Sequence, residues 1–256
     1  MKTRLDVAVF ENGIADSREK ARALILEGKI KVNGQIVDKC GYQIKDTDSI
    51  TLSGNALKYV SRGGLKLEKA IEVYNLDANN KICLDIGAST GGFTDCLLQN
   101  GASKVYSIDV GYNQLAYSLQ TDPRVISIER TNFRYFDTQL LNKDKIDIIV
   151  CDVAFISLLK ISDKITEIAD DDTEIVLLIK PQFEANKKDV SDKGVIKDIE
   201  SHKRIVNNVV NGLNLQHIYL KKFDYSPIKG PKGNIEFIGL FSVDKSFKDD
   251  VTAEKD

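Results

Sequence analysis

Two hydrophobic rhythms run along this chain. Short apolar runs at residues 82–86, 104–109, 125–129, 146–152 and 174–180 have the length and β-branched content of buried strands. Between them, 92–99, 114–118, 156–169 and 199–213 carry apolar residues at helical spacing. Two further strand-like runs, 215–222 and 234–242, follow one another with no helix between them. Strands that alternate with helices predict an α/β domain with a doubly wound, mainly parallel, seven-stranded sheet. The last two predict an antiparallel pair at one edge.

Residues 1–53 have a different pattern. Leu5, Val9 and Phe10 give a helix over 4–10, closed by Asn12-Gly13. A second helix, capped by Asp16 or Ser17, buries Ala21, Leu24 and Ile25 and ends at Gly28. The alternating run Lys29-Ile30-Lys31-Val32 meets Asn33-Gly34, a hairpin signal, with Gln35-Ile36-Val37 as the return strand and 48–52 as another strand. The result is a small α+β module, near the lower size limit for folding alone. Residues 54–60 are a connector, whose Leu57, Tyr59 and Val60 predict that it packs on a domain. From Leu65 onward a helix has Leu65, Leu67, Ala70, Ile71 and Tyr74 for burial. Residues 61–244 form the second domain, and 245–256 a polar, frayed tail.

Composition narrows the class. With 36 basic and 38 acidic side chains the net charge is near zero, so partners depend on local patches. No run reaches the roughly 18 apolar residues of a membrane span, and the N-terminus lacks a signal-peptide pattern. A cytoplasmic protein is expected, with the oligomeric state left open. Cys40, Cys83, Cys96 and Cys151 form no C-x-x-C pair, and with only His202 and His217 beside them no metal site is expected.

The chemistry centres on Ile82-Cys83-Leu84-Asp85-Ile86-Gly87-Ala88-Ser89-Thr90-Gly91-Gly92-Phe93, a strand, a glycine-rich turn and a helix start. Glycines there allow a tight turn or close approach to a ligand. The spacing D-x-G-x-x-x-G-G departs from the dinucleotide fingerprint G-x-G-x-x-G. Asp109, at the next strand end, suits ribose hydroxyls, and Asn132, after the third strand, suits an adenine edge. This set favours S-adenosylmethionine, with Asp85, Gly87, Ser89, Gly91, Gly92, Phe93, Asp109, Asn132 and Asp152 as candidate contacts. In the first module Arg4, Arg18, Lys20, Arg22, Lys29 and Lys31 cluster into a patch able to contact RNA phosphates.

The runs Arg4-Leu5-Asp6, Ser17-Arg18-Glu19-Lys20-Ala21-Arg22 and Gly28-Lys29-Ile30-Lys31-Val32-Asn33-Gly34 resemble the S-four-type RNA-binding domain, with Ile30 replacing the usual valine. D-I-G-A-S-T-G-G-F (85–93), C-D-V-A-F-I-S (151–157), L-I-K-P-Q-F-E (178–184) and G-N-I-E-F (233–237) resemble the FtsJ-type ribose methyltransferases. Together they make the chain similar to the TlyA family of ribosomal RNA cytidine 2′-O-methyltransferases, also known as haemolysins. It departs from that pattern at Ala154, commonly serine, and at Ser89-Thr90, where a proline often precedes Gly-Gly.

The resemblance implies a Rossmann-like class I methyltransferase fold, ribosomal RNA or ribosomal subunits as partner, and a Lys66–Asp152–Lys180–Glu236 tetrad. Glu236 is expected on the last strand. Methyl transfer to a ribose 2′-hydroxyl releases a neutral thioether, so the demand falls on the hydroxyl, which loses a proton as it attacks. Lys180 is the base or orienter, Lys66 a neighbouring cation, and Asp152 and Glu236 fix the amine. Arg62 and Lys232, the 226–233 loop, and a Lys187-Lys188-Lys193 segment are candidate RNA contacts, with Pro181 and Pro231 shaping loops. Two other readings compete: a non-catalytic RNA-binding, ribosome-associated protein, and a membrane-lytic haemolysin. The latter lacks amphipathic segments beyond ordinary core faces.

Overall fold

The computed structural model describes residues 2–15, 17–53, 58–186, 189–191, 194–196 and 198–244. The N-terminal module contains β1 (Lys2–Arg4), α1 (Leu5–Glu11), α2 (Arg18–Leu26), β2 (Ile30–Val32), β3 (Gln35–Ile36), β4 (Gln43–Lys45) and β5 (Ile50–Leu52). It holds two small sheets rather than one: β1 pairs with β4, and β2 lies between β3 and β5. Ser17 caps α2, accepting the Lys20 backbone N–H; Asp16, the other candidate cap, lies outside the described residues. Asn33 and Gly34 both have positive φ, 50° and 78°, as a two-residue hairpin turn requires. Leu5, Val9, Ala21, Ile25 and Ile30 are wholly buried and form the core of this module.

The second domain runs α3 (Gly64–Tyr74), β6 (Ile82–Ile86), α4 (Gly92–Gln99), β7 (Lys104–Ile108), α5 (Tyr117–Gln120), β8 (Val125–Ile128), β9 (Ile148–Cys151), α6 (Ser162–Ile168), β10 (Glu174–Ile179), α7 (Pro181–Glu184), α8 (Ile199–Asn214), β11 (Ile218–Tyr225) and β12 (Phe237–Val243). Its seven strands are ordered β11-β12-β10-β9-β6-β7-β8. Five parallel strands make the body, and β12 inserts antiparallel between β10 and β11. One strand is therefore reversed, and β11 forms the edge.

Successive side chains of a strand face opposite sides of a sheet, and both sides are filled. Cys83, Val105, Ile148, Val150 and Leu178 pack with Leu67 and Tyr74 of α3 and Phe93 and Leu97 of α4. Leu84, Ile86, Ile149, Leu177 and Ile179 pack with Ile165 of α6 and Val209 and Leu213 of α8. The two-sided burial explains why these strands read as continuous apolar runs rather than as an alternation. Among the described residues no helix is long and apolar enough to cross a membrane.

The end of the connector is anchored, as its apolar content predicts. Tyr59 is buried, the Val60 N–H donates to Asp95 Oδ2 at 2.8 Å, and Gln99 donates to the Lys58 carbonyl at 2.9 Å. Asn55 and Leu57 lie outside the described residues, as does the 245–256 tail.

Candidate functional site

The chain winds from β6 to β7 and β8 on one side, then returns to β9 on the other. Ligands of such sheets bind beyond the strand C-termini at this reversal, where the glycine-rich turn lies. Gly87 has φ of 82°, and a Cβ there would lie 3.2 Å from the Asp152 carbonyl oxygen. Its lack of a side chain lets the ends of β6 and β9 meet.

The other conspicuous members of the turn serve packing. A Cβ on Gly91 would collide with Leu115 and Leu119, and one on Gly92 with Ser61 Oγ. Asp85 is fully buried and accepts a 2.6 Å hydrogen bond from Thr94 Oγ1, which lies 2.8 Å from Ser107 Oγ. Its other oxygen has no partner among the described residues. Burial pushes this carboxyl up to about 7 against the opposing Thr94 hydrogen bond. Asp85 and Gly91, candidate cofactor contacts, line neither cavity described below: Asp85 is buried beside Thr94, and Gly91 packs against Leu115 and Leu119.

A cavity of about 510 Å³ opens at the ends of β6, β7 and β9, with Gly87, Ser89, Asp109, Asn132, Asp152 and Phe155 in its wall. Asp109 is held from behind: its oxygens accept the Ser89 N–H at 2.8 Å and the Gly111 N–H at 2.6 Å. Asn132 Oδ1 accepts the Arg134 N–H at 3.1 Å, which orients its amide. A second cleft of about 700 Å³ contains Lys66, Asp152, Lys180 and Glu236 and extends to Asp38 and Tyr42 of the N-terminal module. Gly87, Ser89, Asp152 and Ala154 belong to both cavities, so the two meet at Asp152. Gly92 and Phe93 line the second cleft only.

Four charged residues from distant parts of the chain converge there. Lys66 Nζ, in the first turn of α3, lies 2.7 Å from Glu236 Oε2 and 3.2 Å from Asp152 Oδ2. Lys180 Nζ, directly after β10, lies 2.5 Å from Asp152 Oδ1 and 3.4 Å from the Asp152 carbonyl oxygen. Asp152 thus bridges two lysines and Lys66 bridges two carboxylates. Glu236 is only 1% exposed and sits just before β12, not within it. Burial works against the charge on Lys66, but Asp152 and Glu236 outweigh it and its pKa lies above the ordinary lysine value. Burial likewise opposes ionisation of Asp152, and Lys180 and Lys66 outweigh it, so that carboxyl lies below its usual range.

The basic residues of the N-terminal module are arranged less uniformly than a single patch would be. Arg4 forms a bidentate pair with Asp6 at 2.9 and 3.0 Å, and Arg18 approaches the same carboxylate at 3.6 Å. Asp6 is only 1% exposed, so these two arginines also neutralise a buried charge. Lys29 pairs with Glu27 at 2.7 Å, Lys20 and Arg22 are exposed on α2, and Lys31 is half-buried on β2. Arg62 pairs with Asp38 at 3.0 Å across the two domains, at the rim of the second cleft. Lys232 lines that cleft, whereas Lys187, Lys188 and Lys193 lie outside the described residues. Pro181 opens α7 at a position where its missing N–H costs no helical bond.

Several residues at the site escape sequence reasoning. Phe155 has φ of 64° and is 89% exposed, with its ring 4.9 Å from that of Phe183. Glu184 accepts the Leu158 N–H at 2.9 Å, tying α7 to the loop after β9. Only the short motifs around Asp152 and Lys180 pointed toward them, and motifs do not reveal which side chains turn outward.

A doubly wound sheet with one reversed strand, a glycine turn at its switch point and an acid at the next strand end define a Rossmann-like, class I methyltransferase. The chain belongs to the FtsJ-like methyltransferase family, which matches residues 59–242, and an S4 domain matches residues 3–50. It is 47% identical to Hemolysin A of Brachyspira hyodysenteriae, over 94% of this chain and all of that one. Identity is 38% to the 16S/23S rRNA (cytidine-2′-O)-methyltransferase TlyA of Mycobacterium tuberculosis, over 92% of this chain and 88% of that one. A solved structure of a Streptococcus thermophilus protein, provisionally named a hemolysin, is 41% identical with a TM-score of 0.76, covering 96% of this chain and 90% of that one.

Proposed function

We propose that this protein transfers a methyl group from S-adenosylmethionine to the ribose 2′-hydroxyl of a cytidine in ribosomal RNA, in the cytoplasm where ribosomes are assembled. The observation that carries this reading is the tetrad Lys66–Asp152–Lys180–Glu236 at the junction of the two cavities. The residues around the first cavity fit the cofactor. Asp109, its carboxylate anchored by two backbone N–H groups, keeps lone pairs for ribose hydroxyls. Asn132, its carbonyl already engaged, keeps its NH₂ for an adenine edge. Ile108, Phe133 and Val153 supply apolar wall. When bound, the cofactor supplies an electrophilic methyl carbon and leaves as a neutral thioether.

The chain's own task is to aim the hydroxyl and take charge of its proton. Lys180 is the residue we assign to contact the hydroxyl, as its base or its orienter. To act as base it must first lose the proton of its ion pair with Asp152 to solvent and take the hydroxyl proton as the neutral amine. Asp152 fixes the direction of that amine, and Lys66 holds Asp152 and is itself held by Glu236. Residues 1–53 serve as the RNA-binding module and 61–244 as the catalytic domain. Arg4, Arg18, Lys20, Arg22, Lys29, Lys31 and Arg62 take phosphates, contributing as far as any acidic partner releases them. The TlyA relative named above is an rRNA cytidine 2′-O-methyltransferase by name, which supports the choice of acceptor. The test is to map ribose methylation in ribosomal RNA from cells with and without the gene, then restore it with purified protein and S-adenosylmethionine. Absence of any gene-dependent 2′-O-methyl group would overturn the assignment.

A further inference from the structure

The loop between β11 and β12 lines the second cleft through Ile228, Lys229, Gly230 and Lys232 and ends at Glu236. Besides Glu236, one polar side chain in it is buried. Asn234 is 3% exposed, and its amide is engaged from both ends: Nδ2 donates to the Gly194 carbonyl at 3.0 Å, and Oδ1 accepts the Ile196 N–H at 3.3 Å. The side chain therefore grips the peptide stretch 194–196 as a neighbouring strand would. Its own carbonyl accepts the Gly230 N–H at 2.9 Å, closing the loop on itself. Gly230 in turn lies against Glu236: a Cβ there would collide with Glu236 Oε1. The Ser226 N–H donates to the Glu236 carbonyl at 2.9 Å, fixing the other end of the loop.

These contacts form one chain from residues 194–196 through Asn234 and Gly230 to the Glu236 carboxylate, and from there to Lys66 at 2.7 Å. Glu236 Oε1 has no hydrogen-bond partner among the described residues, so steric confinement on the Gly230 side sets where this oxygen lies. We propose that Asn234 is a positioning residue for methyl transfer: its amide locks the 194–196 stretch to the 230–236 loop and so sets Glu236 against Lys66. The inference rests on the proposed reading of the tetrad. Asn234 itself touches no reacting atom. A buried amide bonded to two backbone groups is costly to replace, because a substitute leaves Gly194 O or Ile196 N unpaired.

The experiment is a double-mutant cycle in the full-length protein between Asn234→Asp and Glu236→Gln. Asn234→Asp keeps the acceptor for the Ile196 N–H but faces the Gly194 carbonyl with oxygen instead of N–H. We expect kcat to fall at least tenfold, with KM for S-adenosylmethionine within about twofold, since the first cavity does not contain Asn234. In the Glu236→Gln background the same change should cost less than about twofold. Gly230→Ala, which crowds Glu236 without touching the amide of Asn234, should give the same kcat loss and the same non-additivity. It also serves if Asn234→Asp fails to fold. Full additivity of both pairs, or a loss confined to KM for the methyl donor, would refute the positioning role. A wild-type protein that transfers methyl groups to an acceptor other than ribose would instead sink the assigned reaction, and the cycle would still be read on that acceptor.

Discussion

The tetrad cleft and the basic face of the N-terminal module are both built from charged side chains, and they use charge in opposite ways. In the cleft Lys66, Lys180 and Glu236 are buried, and with Asp152 they pair with one another across sequence separations of 28 to 170 residues. Such charges hold their geometry because losing a partner leaves an uncompensated ion out of water. On the module Lys20 and Arg22 face solvent, where each charge contributes little to stability and is screened by salt. The first arrangement aims one proton and one hydroxyl. The second attracts a polyanion and lets it settle. Arg4 and Arg18 fall between the two, because the buried Asp6 carboxylate claims part of their charge.

That contrast can be broken most sharply at Lys180. Lys180→Ala should lower kcat by about 10³-fold, within the range for loss of a proton-transfer group, while the dissociation constant for S-adenosylmethionine changes less than about threefold. A variant that turns over normally would remove Lys180 from the chemistry. A smaller effect should appear at Asp85, a buried acid outside the tetrad. Its folded pKa of about 7 lies above the unfolded value of 3.8, so the native state keeps a proton that the unfolded chain releases. The stability it contributes is complete below about pH 4 and is lost as pH rises through about 7. Asp85→Asn, which mimics the protonated acid, should flatten the pH dependence of urea unfolding in that window by up to about 4 kcal/mol. Parallel wild-type and variant curves would disprove the raised pKa.

The mildest change is expected on the exposed face. Replacing Lys20, Arg22 and Lys31 together by alanine should weaken RNA binding by about 10- to 100-fold and reduce the salt slope by about 3. At saturating RNA kcat should hold within about twofold. A kcat loss as large as that of Lys180→Ala would show that the module takes part in chemistry, and the division drawn above would fail.

Much of this was legible in the linear pattern. The apolar runs gave the parallel strands because both faces of this sheet are covered, so each strand must be hydrophobic throughout. Asn33-Gly34 announced its hairpin because few residue pairs adopt two positive φ angles. The first strand, Lys2–Arg4, was hidden because its partner among the described residues, Gln43–Lys45, is short and mostly exposed, leaving little apolar signature in either. The antiparallel edge pair was legible from two strands in succession, but that β12 rather than β11 is the reversed one and inserts beside β10 was hidden, because strand order depends on pairing that local sequence does not encode.

The glycine turn shows where the two kinds of information divide. From the residues alone come the turn itself and the acid at the next strand end, and the family resemblance adds the four members of the tetrad. Only the folded chain decides that Gly91 and Gly92 make room for Leu115, Leu119 and Ser61, and that Thr94 donates to Asp85. It also decides that Asp152 bridges both lysines while Glu236, among the described residues, pairs with Lys66. Backbone preferences and hydrophobic spacing act over a few residues, so sequence carries them directly. The contacts that select a partner for a buried charge act through space, between segments brought together only when the sheet closes.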